Sequence, residues 1–267
     1  MADDRRPAVD WSKFVAPLVL GLAALGVWEG LVRAFHIPPY LLPGPILILQ
    51  TLITDWQTLM ESWWITMSIS LAALTAAVVL GVALAVLFAA SKWIERSFFP
   101  HAVVLQVTPI VAIAPLIIIW VNDVKLSLLI CAWIVAFFPI LSNTTVGLNS
   151  ADRNLVDLFR LYRASAWQSL RYLKLPAAMP YFLAGLRISG GLSLIGAVVA
   201  EFVAGTGGSQ SGLAYRILES GYQLRIPRMF AALVLISASG ILLFLALSLL
   251  SHLCLRRWHE SALKQES

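Results

Sequence analysis

Four stretches of this sequence, 66–90, 102–121, 126–148 and 229–255, run for 20 residues or more without an Asp, Glu, Lys or Arg. About 20 apolar residues of helix cross a hydrocarbon core of about 30 Å, and each stretch is long enough to do so. A fifth run, 188–204, is interrupted only by Glu201, and a sixth, 14–32, carries Glu29 near one end. Charged residues make up only 12% of the chain and hydrophobic residues 60%, against about 25% charged in an average soluble domain. So little charge leaves too little polar surface for a water-soluble globule of this size, and the bilayer is the expected solvent.

The pattern predicts an all-α membrane protein with six spans, near 14–34, 64–90, 101–121, 125–148, 182–204 and 229–255. They form one transmembrane domain over 14–255, flanked by tails at 1–13 and 256–267. The first segment, preceded by Arg5, Arg6 and Lys13, also has the outline of a secretory signal. The bulky Val27-Trp28-Glu29 that follows makes a poor cleavage site, so a retained helix is expected. Pro38-Pro39 and Pro43-Gly44-Pro45 interrupt helix after it. The amphipathic stretch 46–60 is then expected to lie along the membrane surface.

With the N-terminus inside, the zones 1–13, 91–101, 149–187 and 256–267 are cytoplasmic and hold 14 of the 19 basic residues. That bias follows the positive-inside rule and accounts for the net charge of +5. Nucleic-acid binding is not expected, because no basic stripe interleaves with exposed aromatics. Cys131 and Cys254 both fall within apolar runs and read as small hydrophobes. Trp56, Trp63, Trp64, Trp93 and Trp258 read as interfacial belts.

One connection is long and polar. Within 149–180, Leu155, Leu158, Phe159 and Tyr162 form a helical apolar stripe that Asp152 or Asn154 could cap. A second short helix over 167–175 is expected to stop before Pro176. Either this is a solvated hairpin, or the stripe presents i, i+3, i+4, i+7 anchors to the groove of a soluble partner.

The run from Asp157 to Ile188, DLFRLYRASAWQSLRYLKLPAAMPYFLAGLRI, resembles the "EAA" loop of binding-protein-dependent ABC importer permeases. The likeness extends over most of the chain from Leu42. It includes Pro43-Gly44-Pro45, Thr108-Pro109, Ala114-Pro115 with Trp120, Phe138-Pro139-Ile140, and Ala200-Glu201 near Gly212-Leu213. The ordered set is similar to the nitrate, sulfonate and taurine branch, which includes permeases for pyrimidine-type thiamine precursors.

The resemblance implies the type I (MetI-like) importer fold and a coupling loop made by Leu155, Asp157, Leu158, Phe159, Tyr162, Arg163, Ala164, Ser165, Leu175 and Pro176. It also implies a second permease copy in a homodimer, two ABC ATPase subunits carrying ATP and magnesium, and a periplasmic or lipid-anchored substrate-binding protein. The setting would be a bacterial inner membrane with both termini cytoplasmic. Two positions depart from the pattern. Asp157 replaces the usual Glu, and Arg163 replaces a Gly that would permit φ > 0 without strain. The break between the two short helices then needs another geometry, or the helices run on.

No G-x-x-x-x-G-K-[S/T] phosphate loop is present, and the glycine-rich segment 205–212 reads as a flexible loop. This chain is therefore expected to bind no cofactor, with ATP chemistry on a separate protein. A proton-coupled secondary transporter would want several mid-membrane carboxylates, and only Glu201 comes near. An integral-membrane enzyme is the third class considered, and no Ser/His, paired-Asp or His-x-x-x-His set lies within the spans. Gly185, Ser189, Ser193 and Ala197 make a small-residue stripe leading towards Glu201, a face for close helix contact or a cavity wall. Pro109 and Pro115 most simply kink a packed third span, and since freed carbonyls at membrane depth must face protein or water, that span is also a candidate pathway wall. These residues, with Glu201, are the expected pathway or dimer-interface positions. Glu201 itself reads as an interfacial residue, or as a gate or ion-pair member.

Overall fold

The computed structural model describes residues 12–205 and 211–256, and those residues are helical or in short connections. Most of the tails at 1–13 and 256–267, and positions 206–210 of the glycine-rich segment, lie outside the described residues. Helix α1 covers Ser12–Ala34, α2 Pro45–Thr54, α3 Trp56–Ala90, α4 Lys92–Val107, α5 Ile110–Val121 and α6 Val124–Asn149. The loop helix α7, Arg153–Leu161, follows. Then come α8, Ala166–Ser169, a π-helical turn at Leu170–Lys174, and α9, Leu175–Ala204. Helix α10, Leu213–Tyr222, and α11, Ile226–Leu255, complete the order.

Five helical stretches are long and apolar enough to span a membrane, or six if the bent pair α4–α5 counts as one. That pair corrects the expected single kinked span over 101–121, because its two helices are bent by 101° at the break between them. The cause is local. Pro109 has no N–H to continue the ladder and disfavours helical backbone at the residue before it. Thr108 is extended at φ −66° and ψ 123°, and its hydroxyl bonds back to the Val104 carbonyl at 2.7 Å. The expected surface stretch at 46–60 is likewise divided, with α2 ending before Asp55 and α3 starting at Trp56.

The core is α6 packed between α9 and α3. Ile140, Leu141 and Leu148 of α6 and Phe88 of α3 are fully buried. Hydrophobic burial gives no preference for helix over lipid, so close packing and interhelical hydrogen bonds must hold such a bundle. Both are present. A Cβ on Gly185 would sit 2.7 Å from the Pro139 carbonyl oxygen, so α9 approaches α6 as closely as it does only with glycine there. Ser189 Oγ donates to the Ala136 carbonyl at 2.6 Å, and the Ser70 and Ser193 hydroxyls meet at 3.0 Å.

The flanking helices are held at fewer points. None of the apolar window of α1 is buried in the chain. Its ties lie near its C-terminal end, where Trp28 stacks obliquely on Phe230 at 6.1 Å and Glu29 accepts from the Ile46 amide at 3.2 Å. Helix α11 is joined to α3 through Trp63 Nε1, which donates to Ser239 Oγ at 2.6 Å. Trp63 thus turns inward, whereas Trp56, Trp64 and Trp93 are exposed. Arg228 pairs with Asp55 at 2.5 Å, and this contact holds the guanidinium against the carboxylate, keeping the Asp55 carboxyl below its ordinary range.

Candidate functional site

The long loop folds into α7 because Asp152 caps it, accepting from the Asn154 amide at 2.7 Å. No residue of α7 is buried. Leu155 and Leu158 are about half exposed, and Leu161 and Tyr162 are each 78% exposed, while Phe159 is partly covered. Asp157 forms an exposed pair with Arg160 at 3.3 Å, a contact of little energetic weight in water. An apolar helix face is therefore left open to solvent at one end of the bundle, and exposed patches of this kind mark interaction surfaces.

Arg163 answers the question raised by its sequence position. It adopts φ +52°, the left-handed conformation that glycine would take more easily. The Arg163 amide bonds to the Arg160 carbonyl at 3.0 Å and the Ala164 amide to the Phe159 carbonyl at 2.9 Å. Together these make a complete Schellman stop to α7. The break between the helices is kept, and the arginine bears a left-handed penalty of about 1 kcal/mol.

Two residues later Ser165 starts the next helix with a reciprocal capping box. Its hydroxyl accepts from the Gln168 amide at 3.2 Å, and Gln168 Oε1 accepts from the Ser165 amide at 2.7 Å. The S-x-x-Q spacing was a readable signal for this start. The helix does not stop before Pro176 as expected. The π turn lets the Leu175 amide bond the Leu170 carbonyl, which places Pro176 in the first turn of α9, where a missing N–H costs nothing. Helix then runs unbroken from Ala166 to Ala204, 39 residues.

Leu175 and Pro176 are half-buried against the bundle rather than on the open face. The open face also gains Leu161 and Trp167, which were not singled out from sequence although Leu161 lies one i+3 step beyond Leu158.

The second group of residues separates. Pro109 and Pro115 are exposed on the α5 side of the bend. Ser189, Ser193 and Ala197 are fully buried. Their stripe is taken up by packing on α6 and α3 within the chain, so it offers no free wall or dimer face.

Glu201 is 3% exposed, and no cation pairs with it among the described residues. Its Oε2 accepts from the Ala214 amide at 3.0 Å, and Thr66 Oγ1 accepts from the Leu213 amide at 2.9 Å. A carboxylate of α9 and a hydroxyl of α3 thus cap α10 at its N-terminus, where negative charge is favoured by the helix dipole. Gly212 lies directly against the carboxylate, and a Cβ there would collide with it. Arg216 of α10 adds a bond from Nε to Ser62 Oγ at 2.9 Å. Glu201 is a structural clamp at the end of the bundle opposite α7.

Residues 77–257 match the family of binding-protein-dependent transport system inner membrane components. The formylaminopyrimidine transport permease ThiX of Halalkalibacterium halodurans is 32% identical over 90% of this chain and 94% of its own length. The riboflavin transport system permease RibX of Chloroflexus aurantiacus is 33% identical over 94% of this chain and 92% of its own. Among solved structures, the inward-facing MetNI methionine ABC transporter superposes with a TM-score of 0.63 at 18% identity, covering 74% of this chain and 96% of that one. The chain belongs to the family of binding-protein-dependent transport system inner membrane components, and it is the permease subunit of an ABC importer.

Proposed function

We propose that the α7 loop is the seat of a separate ATPase and that two copies of this chain, each with one ATPase, enclose the solute pathway. The observation that carries this reading is the open Leu155, Leu158, Leu161 and Tyr162 face on a helix that a Schellman turn and a capping box fix to a 39-residue membrane helix. A face of this kind suits a groove on a soluble subunit, and the rigid joint carries displacement into α9. ATP and magnesium belong on the partner, whose closure would shift the pathway between inward- and outward-open states by favouring one of them. A binding protein would deliver the solute at the α10 end. The fourteen basic residues in the four zones named from sequence support an inner-membrane orientation with α7 and both termini in the cytoplasm.

For the cargo, the relatives at 32% and 33% identity that match over 90% and 94% of this chain are named for ring compounds, formylaminopyrimidine and riboflavin. Those at 31% named for aliphatic sulfonates and nitrate match over only 60% and 63% of it. We therefore order pyrimidine-type ring solutes ahead of nitrate, sulfonates and taurine. Screening these solutes against the cognate binding protein by thermal shift tests that order, which fails if only the small anions stabilise it.

Docking is tested with Leu158→Asp and Tyr162→Asp. Each buries a charge in the proposed contact and should abolish ATPase co-purification and ATP-driven uptake while the permease still inserts. Retention of both by both variants overturns the assignment. Uptake in vesicles lacking any ATPase would favour a proton-coupled carrier instead.

A further inference from the structure

An apolar crevice follows the seam between α3 and α9 over the half of the bundle nearest the α7 loop. Its deeper part, about 540 Å³, has Val79 and Val82 of α3 on one wall, Met179 and Phe182 of α9 on the other, and Ala178 at its floor. Its shallower part, about 400 Å³, continues one turn on between Val86 and Ala89 of α3 and Leu170 and Lys174 of the π turn. From Val78 to Ala90 the crevice covers 13 residues of α3, about 18 Å at 1.5 Å per step. That is close to the depth of one leaflet, about half of a 30 Å core.

The two ends differ chemically. The deep end is lined by aliphatic and aromatic side chains apart from Thr144. At the shallow end the Lys174 ammonium makes a long contact, 3.4 Å, to the Ala89 carbonyl and has no carboxylate partner among the described residues. The exposed Trp167 ring stands at the same end, and Arg171 follows on the next face. Glu95, the acid near the start of α4, is already engaged by Lys92 at 2.7 Å. A tryptophan and one lysine at the mouth of an apolar slot one leaflet deep match the headgroup end of a lipid. A second copy of the chain fits less well. A two-fold axis passing through the crevice mouth would set Lys174 against its own copy.

We propose that this crevice binds an anionic glycerophospholipid of the leaflet bordering the α7 loop, with one acyl chain between α3 and α9 and the phosphate at Lys174. A bound chain would brace the π turn that joins α8 to α9. The substitutions that probe it, at Lys174 and Ala83, lie outside the open face that carries Leu155, Leu158, Leu161, Tyr162 and Trp167, so the test separates from those of the cargo and the ATPase contact.

The test is native mass spectrometry of the detergent-purified permease–ATPase complex, titrated with phosphatidylglycerol or phosphatidylcholine. Phosphatidylglycerol should be retained more tightly, and Lys174→Gln should reduce that preference about fivefold, the usual effect of one basic residue. Ala83→Phe, at an exposed position lining the slot, should remove tight binding of either lipid without touching the cation. Equal retention of the two lipids, or an unchanged preference in Lys174→Gln, overturns the proposal. So does disulfide formation between two copies carrying Val79→Cys, because protein would then cover the crevice.

Discussion

The clamp on α10 predicts a specific non-additivity between two residues that are 11 positions apart. Glu201→Ala leaves the buried Ala214 amide without its acceptor, at about 1–3 kcal/mol. The loss should be about 2 kcal/mol, roughly thirtyfold in the folding equilibrium. Gly212→Ala has no backbone cost, since φ is −78° and ψ −177°. Its whole penalty is the collision of the new methyl with the Glu201 carboxylate, about 1–3 kcal/mol for overpacking. In the double variant the carboxylate is gone and the methyl has room, so the steric penalty disappears. Unfolding of the four proteins in dodecyl maltoside by titration with dodecyl sulfate closes the cycle. The double variant should lie near Glu201→Ala alone, with a coupling above 1 kcal/mol. Additivity to within about 0.5 kcal/mol would refute the clamp, and Glu201→Gln, which keeps an oxygen for the amide, should lose less than Glu201→Ala.

Arg163→Gly should relieve the left-handed strain of about 1 kcal/mol but give back about half to all of it as unfolded-chain entropy. The net change is expected within about 0.5 kcal/mol of zero, and ATPase binding measured by co-purification should persist. Arg163→Pro cannot adopt φ +52° and loses the amide bond to Arg160, so the same assay should report loss of the ATPase. Asp55, its carboxyl lowered by Arg228, binds protons less readily folded than unfolded. Its stabilisation is complete above the ordinary carboxylate pKa of about 3.9 and disappears as pH falls through the lowered folded value. Acid titration of unfolding should therefore show a smaller slope below pH 4 in Asp55→Asn. Pro109→Ala restores an N–H to the bend, and spin-label distances between positions 96 and 119 should lengthen as the 101° angle opens.

The apolar cores of the spans were readable because a membrane helix is specified by one local quantity, its uncharged apolar length. The helix ends were not, since the spans expected from 64 and 182 belong to helices that start at Trp56 and Ala166. The α7 stripe was equally readable, since i, i+3 and i+4 spacing is also local. What sequence did not show depended on where the chain turns. Thr108-Pro109 looked like a kink within one span, and only the extended backbone at Thr108 turns it into a 101° break. Pro176 looked like a helix stop, and a π turn converted it into an ordinary first-turn proline. The small-residue stripe of α9 was visible, but not its partner. Whether Ser189 faces α6 of the same chain or another copy depends on the packing of residues 53 positions apart.

Arg163 and Glu201 show how the two ends of α9 relate to each other. At one end a strained arginine and a capping box fix α7 to helix that begins at Ala166, and at the other Glu201 fixes α10 to the same helix. A continuous helix of 39 residues is about 58 Å long, and it is bonded to α6 and α3 near its middle through Ser189 and Ser193. With α7 as the proposed ATPase seat, a push there would be delivered along this helix towards α10. The weakest point of the helix is the π turn at Leu170–Lys174, where one backbone bond skips a residue. Compliance there would absorb the push before it reached the membrane, so the contacts that stiffen this turn, from Lys174 to Ala89 and from Leu170 into the bundle, bear directly on how much of the motion arrives.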